Sequence, residues 1–319
     1  MKTDKYIPFL ASVSAKLLHP FLKGYDNYLI KKHNYNCIYF PIYIIGAPRT
    51  GSTILYQTIT NYFNVLYADN VVNHFYRTFF VAFRISNFFY KNEAHNSFKS
   101  FHGQTYGSGM HGPSECSGFW YRWLPLRKHY IQKGEISEES ITEIRNNIDA
   151  VSNYFKKHII FKNLNNGQRL PFIKEIHSSS RFIYITRDPF FTTQSILLAR
   201  RKAGHPINKM FGVFPANYKE LEQYDELEMV VRQVFELEKE IQNSLQLFPK
   251  ENILKIEYQA FCNDPNKYLQ VMERNLFKNQ ITIRTKNVPP EINLSETIKL
   301  SKEETDRIHR LITQLEQAN

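Results

Sequence analysis

Short runs of β-branched and aromatic residues alternate along this chain with longer stretches in which apolar positions return every three or four residues. Ile42–Ile45, Ile159–Phe161 and Phe182–Thr186 are runs of the first kind, and Ile253–Ile256 is a fourth. Apolar runs of that length, bounded by turn residues, predict buried strands. Each leads into a turn or a helical pattern, which is the rhythm of a parallel sheet with crossover helices. Leu227, Val230, Val234, Leu237, Ile241 and Leu245 form one apolar stripe, predicting a long amphipathic helix packed on the core. The Phe-dense stretch His74–Tyr90, with Arg77 and Arg84, reads as a helix packed on the core, an acceptor groove or a membrane surface being its other readings. Residues 204–222 and 279–299 are polar with scattered Gly and Pro and read as long loops, a length typical of lids and binding segments. No internal repeat or flexible linker divides the chain. The expectation is one α/β domain over residues 1–319, a central parallel sheet flanked by helices in three layers, with residues 1–38 as a helical extension.

Composition narrows the partners. The 319 residues are 42% hydrophobic and 15% aromatic, too apolar for a disordered chain. Basic residues number 41 against 30 acidic, a net charge of +11, which points to an anionic partner such as nucleic acid, a membrane, a polyanionic glycan or a phosphorylated cofactor. Cys37, Cys116 and Cys262 are too dispersed for a disulfide framework or a zinc site, so a reducing compartment is expected. The apolar stretch Cys37–Ile45 is too short to span a bilayer and contains Pro41. Tyr6–Val13 follows Lys2 and Lys5 but contains Pro8 and ends before Lys16, which reads as a surface helix rather than a signal peptide. A soluble, cytoplasmic protein is expected.

The chemistry concentrates after the first strand, in Gly46-Ala-Pro-Arg-Thr-Gly-Ser-Thr. Gly46 and Gly51 permit a tight turn whose backbone N–H groups point inward. Ser52 and Thr53 add hydroxyls at the positive end of the following helix, a nest for phosphate or another tetrahedral oxyanion. The glycine spacing is that of a nucleotidase loop, but Ser52 occupies the position that such a loop gives to Lys, and the cation comes earlier, at Arg49. The strand Phe182–Thr186 ends in Arg187 where an NTPase often places a metal-binding carboxylate. Both features favour a cation-rich anion site without a metal. In the run Arg181–Ser195, Arg187 at the strand end and Ser195 in the next helix can converge on one anion.

The first of these runs resembles the sulfotransferase superfamily, in the branch reading G-x-P-R-[ST]-G-[ST]-T that includes tyrosylprotein sulfotransferases and bacterial carbohydrate or lipid sulfotransferases. The resemblance implies 3′-phosphoadenosine 5′-phosphosulfate (PAPS) as donor and adenosine 3′,5′-bisphosphate as product, without a metal. It assigns Arg49, Thr50, Gly51, Ser52 and Thr53 to the 5′-phosphosulfate, and Arg187 with Ser195, eight residues later, to the 3′-phosphate. Lys162, 25 residues before Arg187, takes the lysine that reaches the bridging oxygen in the tyrosylprotein branch. Ile253–Pro265 resembles the family's fourth strand and the segment after it; Tyr258 there is a candidate cofactor contact, with packing as its other role. Residues 282–299, with Lys286, Asn293 and Ser295, take the place of a loop that covers the nucleotide in relatives.

Sulfuryl transfer needs cations on the leaving phosphate and a base for the acceptor proton. Arg49 and Lys162 would supply the cations. The run His111–Trp123 resembles the P-x-E…F-W…W-L segment of some bacterial sulfotransferases, so Glu115 is a candidate base with His111 near it and Trp120 and Trp123 as an acceptor wall. The other reading is a helix N-terminus with core tryptophans. Asp69, 20 residues after Arg49, is a second candidate base by the tyrosylprotein resemblance, or else a helix cap, and His74 is a further candidate. The expected activity is in-line transfer to a hydroxyl on a glycan, lipid or other acceptor, with peripheral membrane contact as a further expectation. The rival readings are a P-loop kinase or nucleotidase and a basic nucleic-acid-binding protein; no long basic tract favours nucleic acid.

Overall fold

Pro41–Ile45 (β1), Leu66–Tyr67 (β2), Ile159–Lys162 (β3), Arg181–Thr186 (β4) and Ile253–Glu257 (β5) form one sheet in the order β2-β3-β1-β4-β5, with every neighbouring pair parallel. This is a computed structural model, and it describes residues 3–98, 109–126, 128–285, 292, 294 and 296–318, with side chains from residue 18 onward. The four expected strands are present to within a residue or so at each end. β2 was not expected, because two residues carry no periodicity to read.

β1, β3 and β4 are apolar on both faces because both faces are covered. Tyr43, Ile45, Ile159, Phe161, Phe182 and Tyr184 point to one side. There Tyr43 lies between Phe161 and Phe182 across three strands, with ring centroids 5.5 and 5.8 Å away. This face packs on Phe79–Tyr90 (α4), Glu138–Phe155 (α6), Leu170–Ile176 (α7) and the C-terminal half of Glu226–Leu245 (α10). Ile42, Ile44, Ile160, Ile183, Ile185 and Ile256 point to the other side, against Ser52–Tyr62 (α2), Tyr258–Asn263 (α11) and Pro265–Val271 (α12). Fully burying each such side chain is worth ~1.5–3 kcal/mol, which sets the register: a one-residue slip would exchange the two faces.

A third cluster joins Pro189–Lys202 (α8), α10 and Lys302–Ala318 (α13) through Leu197, Val230, Val234, Ile308 and Ile312. The expected stripe on α10 is therefore core on both clusters. Thr3–His33 forms one long helix (α1) beside α4 and α6. The apolar half of the His74–Tyr90 stretch is core as expected, with Phe79, Phe80 and Phe83 buried on α4. Residues 204–222 are mainly turns, with one short helix, Tyr218–Leu221. Among the described residues no helix is long and apolar enough to cross a membrane.

Candidate active site

β1 lies at the centre of the sheet. The chain leaves β1 for β2 on one side and leaves β3 for β4 on the other, so the loops at the carboxyl ends of these strands part around a crevice, the usual ligand position in such sheets. The loop after β1 is fixed by close approach. Gly46 has its Cα so near β4 that an added Cβ would sit 2.3 Å from the Ile185 carbonyl oxygen. Gly51 has φ +85°, and a Cβ there would lie 2.1 and 2.2 Å from two atoms of the Tyr258 ring. Arg49 also has a positive φ, 70°, a strained conformation for a residue with a side chain. Thr50 turns its hydroxyl inward to donate to the Ala47 carbonyl at 2.8 Å. Gly51 caps α2 without a side chain, so no side-chain acceptor meets the first N–H groups of that helix, the arrangement that favours an anion.

The loop meets the end of β4 through its cations. Arg49 Nε donates to Ser195 Oγ at 3.0 Å, and Arg187 Nη1 donates to the Arg49 carbonyl at 3.2 Å. The Arg187 guanidinium lies 5.0 Å from the centre of the Tyr258 ring at the start of α11. Burial, and then the neighbouring Arg187, pull Arg49 below its ordinary pKa, so this is a site where two like charges are held close at a cost. Burial pushes the Tyr258 hydroxyl up to about 12, so it stays neutral. Asp188 caps α8, accepting from the Phe191 N–H at 3.1 Å, and aims the helix that carries Ser195.

Lys162 ends β3, beside β1, and is 3% exposed. Its ammonium is paired with the Glu115 carboxylate, which is 41% exposed. The expected base and the expected leaving-group cation are thus in direct contact. Asp69 is placed differently. It caps the short helix Asn70–His74 (α3), accepting from the Val72 N–H at 2.9 Å, accepts from the Ser86 hydroxyl, and lies 3.2 Å from His111 Nδ1. His111 does not join Glu115. Its Nε2 lies 3.0 Å from the Glu93 carbonyl and 3.2 Å from the Tyr67 hydroxyl. A small cavity beside this group is lined by Tyr67, Asp69, Ser86, Asn87, Asn92 and His111. Trp120, on the short helix Ser117–Trp120 (α5), is fully buried in the core, which corrects the expectation of an acceptor wall there. Trp123 packs on the same core and donates to Glu143 at 2.6 Å.

A sequence profile described as "Sulfotransferase family" matches residues 41–276, the span from β1 to just beyond α12. The chain belongs to the sulfotransferase family. Its fold is also that of a solved sulfotransferase. STF9 from Mycobacterium avium is 11% identical, with a TM-score of 0.52 over 93% of this chain and 72% of that one. A sulfotransferase from Alicyclobacillus acidocaldarius is 12% identical, with a TM-score of 0.46 over 86% and 92%. No curated protein matches the sequence.

Two parts of this sulfotransferase's crevice escaped the sequence. Glu238, half-buried on α10, accepts from the Ala47 N–H at 3.3 Å and from the Tyr184 hydroxyl, tying the loop after β1 to β4. Burial pushes its carboxyl up in pKa. Within the helical stripe it looked like an ordinary surface glutamate next to Leu237. Gln194 is the second. Its amide donates to the Thr297 carbonyl at 3.0 Å and accepts from the Lys299 N–H at 2.6 Å, while Gln259 on α11 donates to Glu296. Residues 296–299 therefore bridge α8, which follows Arg187, and α11, which begins with Tyr258. Lys286, Asn293 and Ser295 of the expected covering loop lie outside the described residues.

Proposed function

We propose that this sulfotransferase moves a sulfuryl group from PAPS to a hydroxyl acceptor by in-line transfer, and that it belongs to the G-x-P-R-[ST]-G-[ST]-T branch. The observation that carries this reading is the convergence of Arg49, Ser195, Arg187 and Tyr258 from three separate strand ends, with two guanidiniums held close by backbone and side-chain bonds. A ligand with anionic groups at both ends of a nucleotide relieves that repulsion; an ordinary adenine nucleotide lacks the second group. The donor site fits the residues present. Arg49, Ser52, Thr53 and the open N-terminus of α2 hold the 5′-phosphosulfate, with Thr50 and Gly51 shaping the turn. Arg187 and Ser195 hold the 3′-phosphate, Tyr258 flanks it, and residues 296–299 lie over that end.

PAPS supplies an activated sulfur whose bond to the bridging phosphate oxygen is weak. Lys162 stabilises the negative charge that collects on that oxygen as the bond breaks. Glu115 takes the proton from the acceptor hydroxyl as its oxygen bonds to sulfur, leaving a sulfate ester and adenosine 3′,5′-bisphosphate. Glu115 is preferred to Asp69 as base because it is solvent-facing and touches Lys162, whereas Asp69 is 1% exposed and spends its oxygens on a helix cap, Ser86 and His111. None of these roles needs a metal. The three free cysteines fit a reducing compartment, and we place the protein in the cytoplasm. The acceptor is a hydroxyl compound, glycan or lipid, rather than nucleic acid.

The test is turnover with PAPS against ATP–Mg²⁺, with and without chelator. Chelator-insensitive sulfate transfer is expected, and chelator-sensitive phosphoryl transfer would overturn the reading. Arg187→Ala should weaken adenosine 3′,5′-bisphosphate far more than adenosine 5′-phosphate; equal losses would contradict the assigned 3′-phosphate site.

A further inference from the structure

An aromatic, cationic face on α1 and α4 takes no part in the crevice. Phe21, Tyr25 and Tyr28 follow one another by four and three residues on α1, and are 82%, 47% and 57% exposed. At the end of α4, Phe88 and Phe89 are 76% and 66% exposed. Arg84 joins the two helices. Its Nη1 donates to the Tyr25 hydroxyl, and its guanidinium lies 5.8 Å from the Tyr25 ring centre. Arg84 and Phe88 stand one helical turn apart on α4, so Tyr25, Arg84 and Phe88 follow one another across a continuous face.

The charge on this face is one-sided. Lys31 and Lys32 on α1 and Lys91 just after α4 are all exposed. The one carboxylate on α1 between residues 18 and 33 is Asp26, which is buried against α4, accepting from the Val81 N–H at 2.8 Å. α4 has no acidic residue, and the first exposed carboxylate beyond it is Glu93. Exposed aromatic rings interleaved with lysines match the interfacial layer of a bilayer, where rings sit at headgroup depth and lysine stems extend to anionic headgroups. A second copy of this chain would meet the same face in a two-fold dimer and bring like charges together.

We propose that this face docks the protein on an anionic membrane surface, lying in the interface without crossing it. Docking does not rest on the proposed transfer reaction.

The experiment is co-sedimentation of the full chain with vesicles of phosphatidylcholine alone and with roughly one-third phosphatidylglycerol, at low and high salt. Binding is expected only to the anionic vesicles and should weaken with salt. Lys31→Gln with Lys32→Gln should lower it roughly 30-fold, from about fivefold per lysine. Phe21→Ser with Phe88→Ser and Phe89→Ser should lower it at least tenfold, as rings inserted at the interface are lost. All five positions are exposed, so unchanged melting temperatures certify the fold. No binding, equal binding to both vesicle types, or variants that bind like the parent would overturn the proposal. So would a salt-stable dimer abolished by the same substitutions in a chain that ignores vesicles. The readout needs no turnover, so its failure would leave sulfuryl transfer untouched, and an inactive enzyme that still binds vesicles would leave docking standing.

Discussion

Gly51→Ala tests whether the loop after β1 and Tyr258 form one rigid donor site. The new methyl would lie 2.1 and 2.2 Å from ring atoms of Tyr258, against ordinary contact of 3.4–4 Å, so ring or loop must retreat by more than an ångström. Alanine at φ +85° adds left-handed strain of ~1–2 kcal/mol. The ring has little room, because Tyr258 is 8% exposed and packed among the residues under α2 and α11. A displacement of about 1 Å in a positioned site costs on the order of 10²-fold in rate. Affinity for adenosine 3′,5′-bisphosphate, followed by calorimetry, should fall at least tenfold. Tyr258→Ala alone should cost less, since it removes one ring and leaves the loop in place. The double variant should recover part of the loss, because the methyl then finds space, while the backbone strain persists. Parental affinity in Gly51→Ala, or a double variant no better than Gly51→Ala, would refute the argument that ring and loop are in mutual contact at the ligand.

Lys162→Met should lower kcat by about 10²–10³-fold with little change in donor affinity, since the ammonium acts on charge that appears during transfer; an equal loss in ground-state binding of the donor would remove that role. Glu238→Ala leaves the buried Ala47 N–H and Tyr184 hydroxyl without this acceptor and should destabilise the fold by ~1–3 kcal/mol per lost partner in urea titrations. Asp26 gives a pH signature. Burial raises its carboxyl from 3.8 to about 6, so the folded state holds the proton more tightly than the unfolded chain. Its contribution to stability is therefore complete below pH 3.8 and is lost as pH rises through about 6, a swing of about 3 kcal/mol. Asp26→Asn keeps an acceptor for Val81 and abolishes the swing, so the parent should lose ground to the variant between pH 4 and pH 8; a constant difference in melting behaviour would contradict the burial argument.

Local pattern was enough for β1, β3 and β4 because they are buried on both faces and therefore read as unbroken apolar runs, while β5, at the sheet edge, keeps Lys255 exposed between apolar neighbours. The tight turn after β1 was legible for a related reason. Gly46 and Gly51 sit where the backbone approaches Ile185 and Tyr258 too closely for any side chain, so the constraint is written in the residues themselves. Asp69 shows where such reading stops. Its distance from Arg49 along the chain suited a base, but only the packed α3, α4 and His111 show its carboxylate already engaged. Glu238 was invisible because a half-buried, engaged glutamate on an amphipathic helix has the same spacing as an exposed one.

By itself the sequence determined a parallel α/β sheet, a tight arginine-bearing turn between β1 and α2, and a second arginine eight residues before a serine. Those properties depend on near neighbours, through strand burial, turn geometry and helix N-termini, and near neighbours are what a sequence displays. Tertiary structure decided which groups meet. It joined Arg49 to Ser195 and Arg187, placed Glu115 on Lys162, hid Trp120, and set the aromatic edge of α4 beside that of α1. Each of these is a contact between segments separated along the chain, fixed by the order in which five strands pack rather than by any local preference.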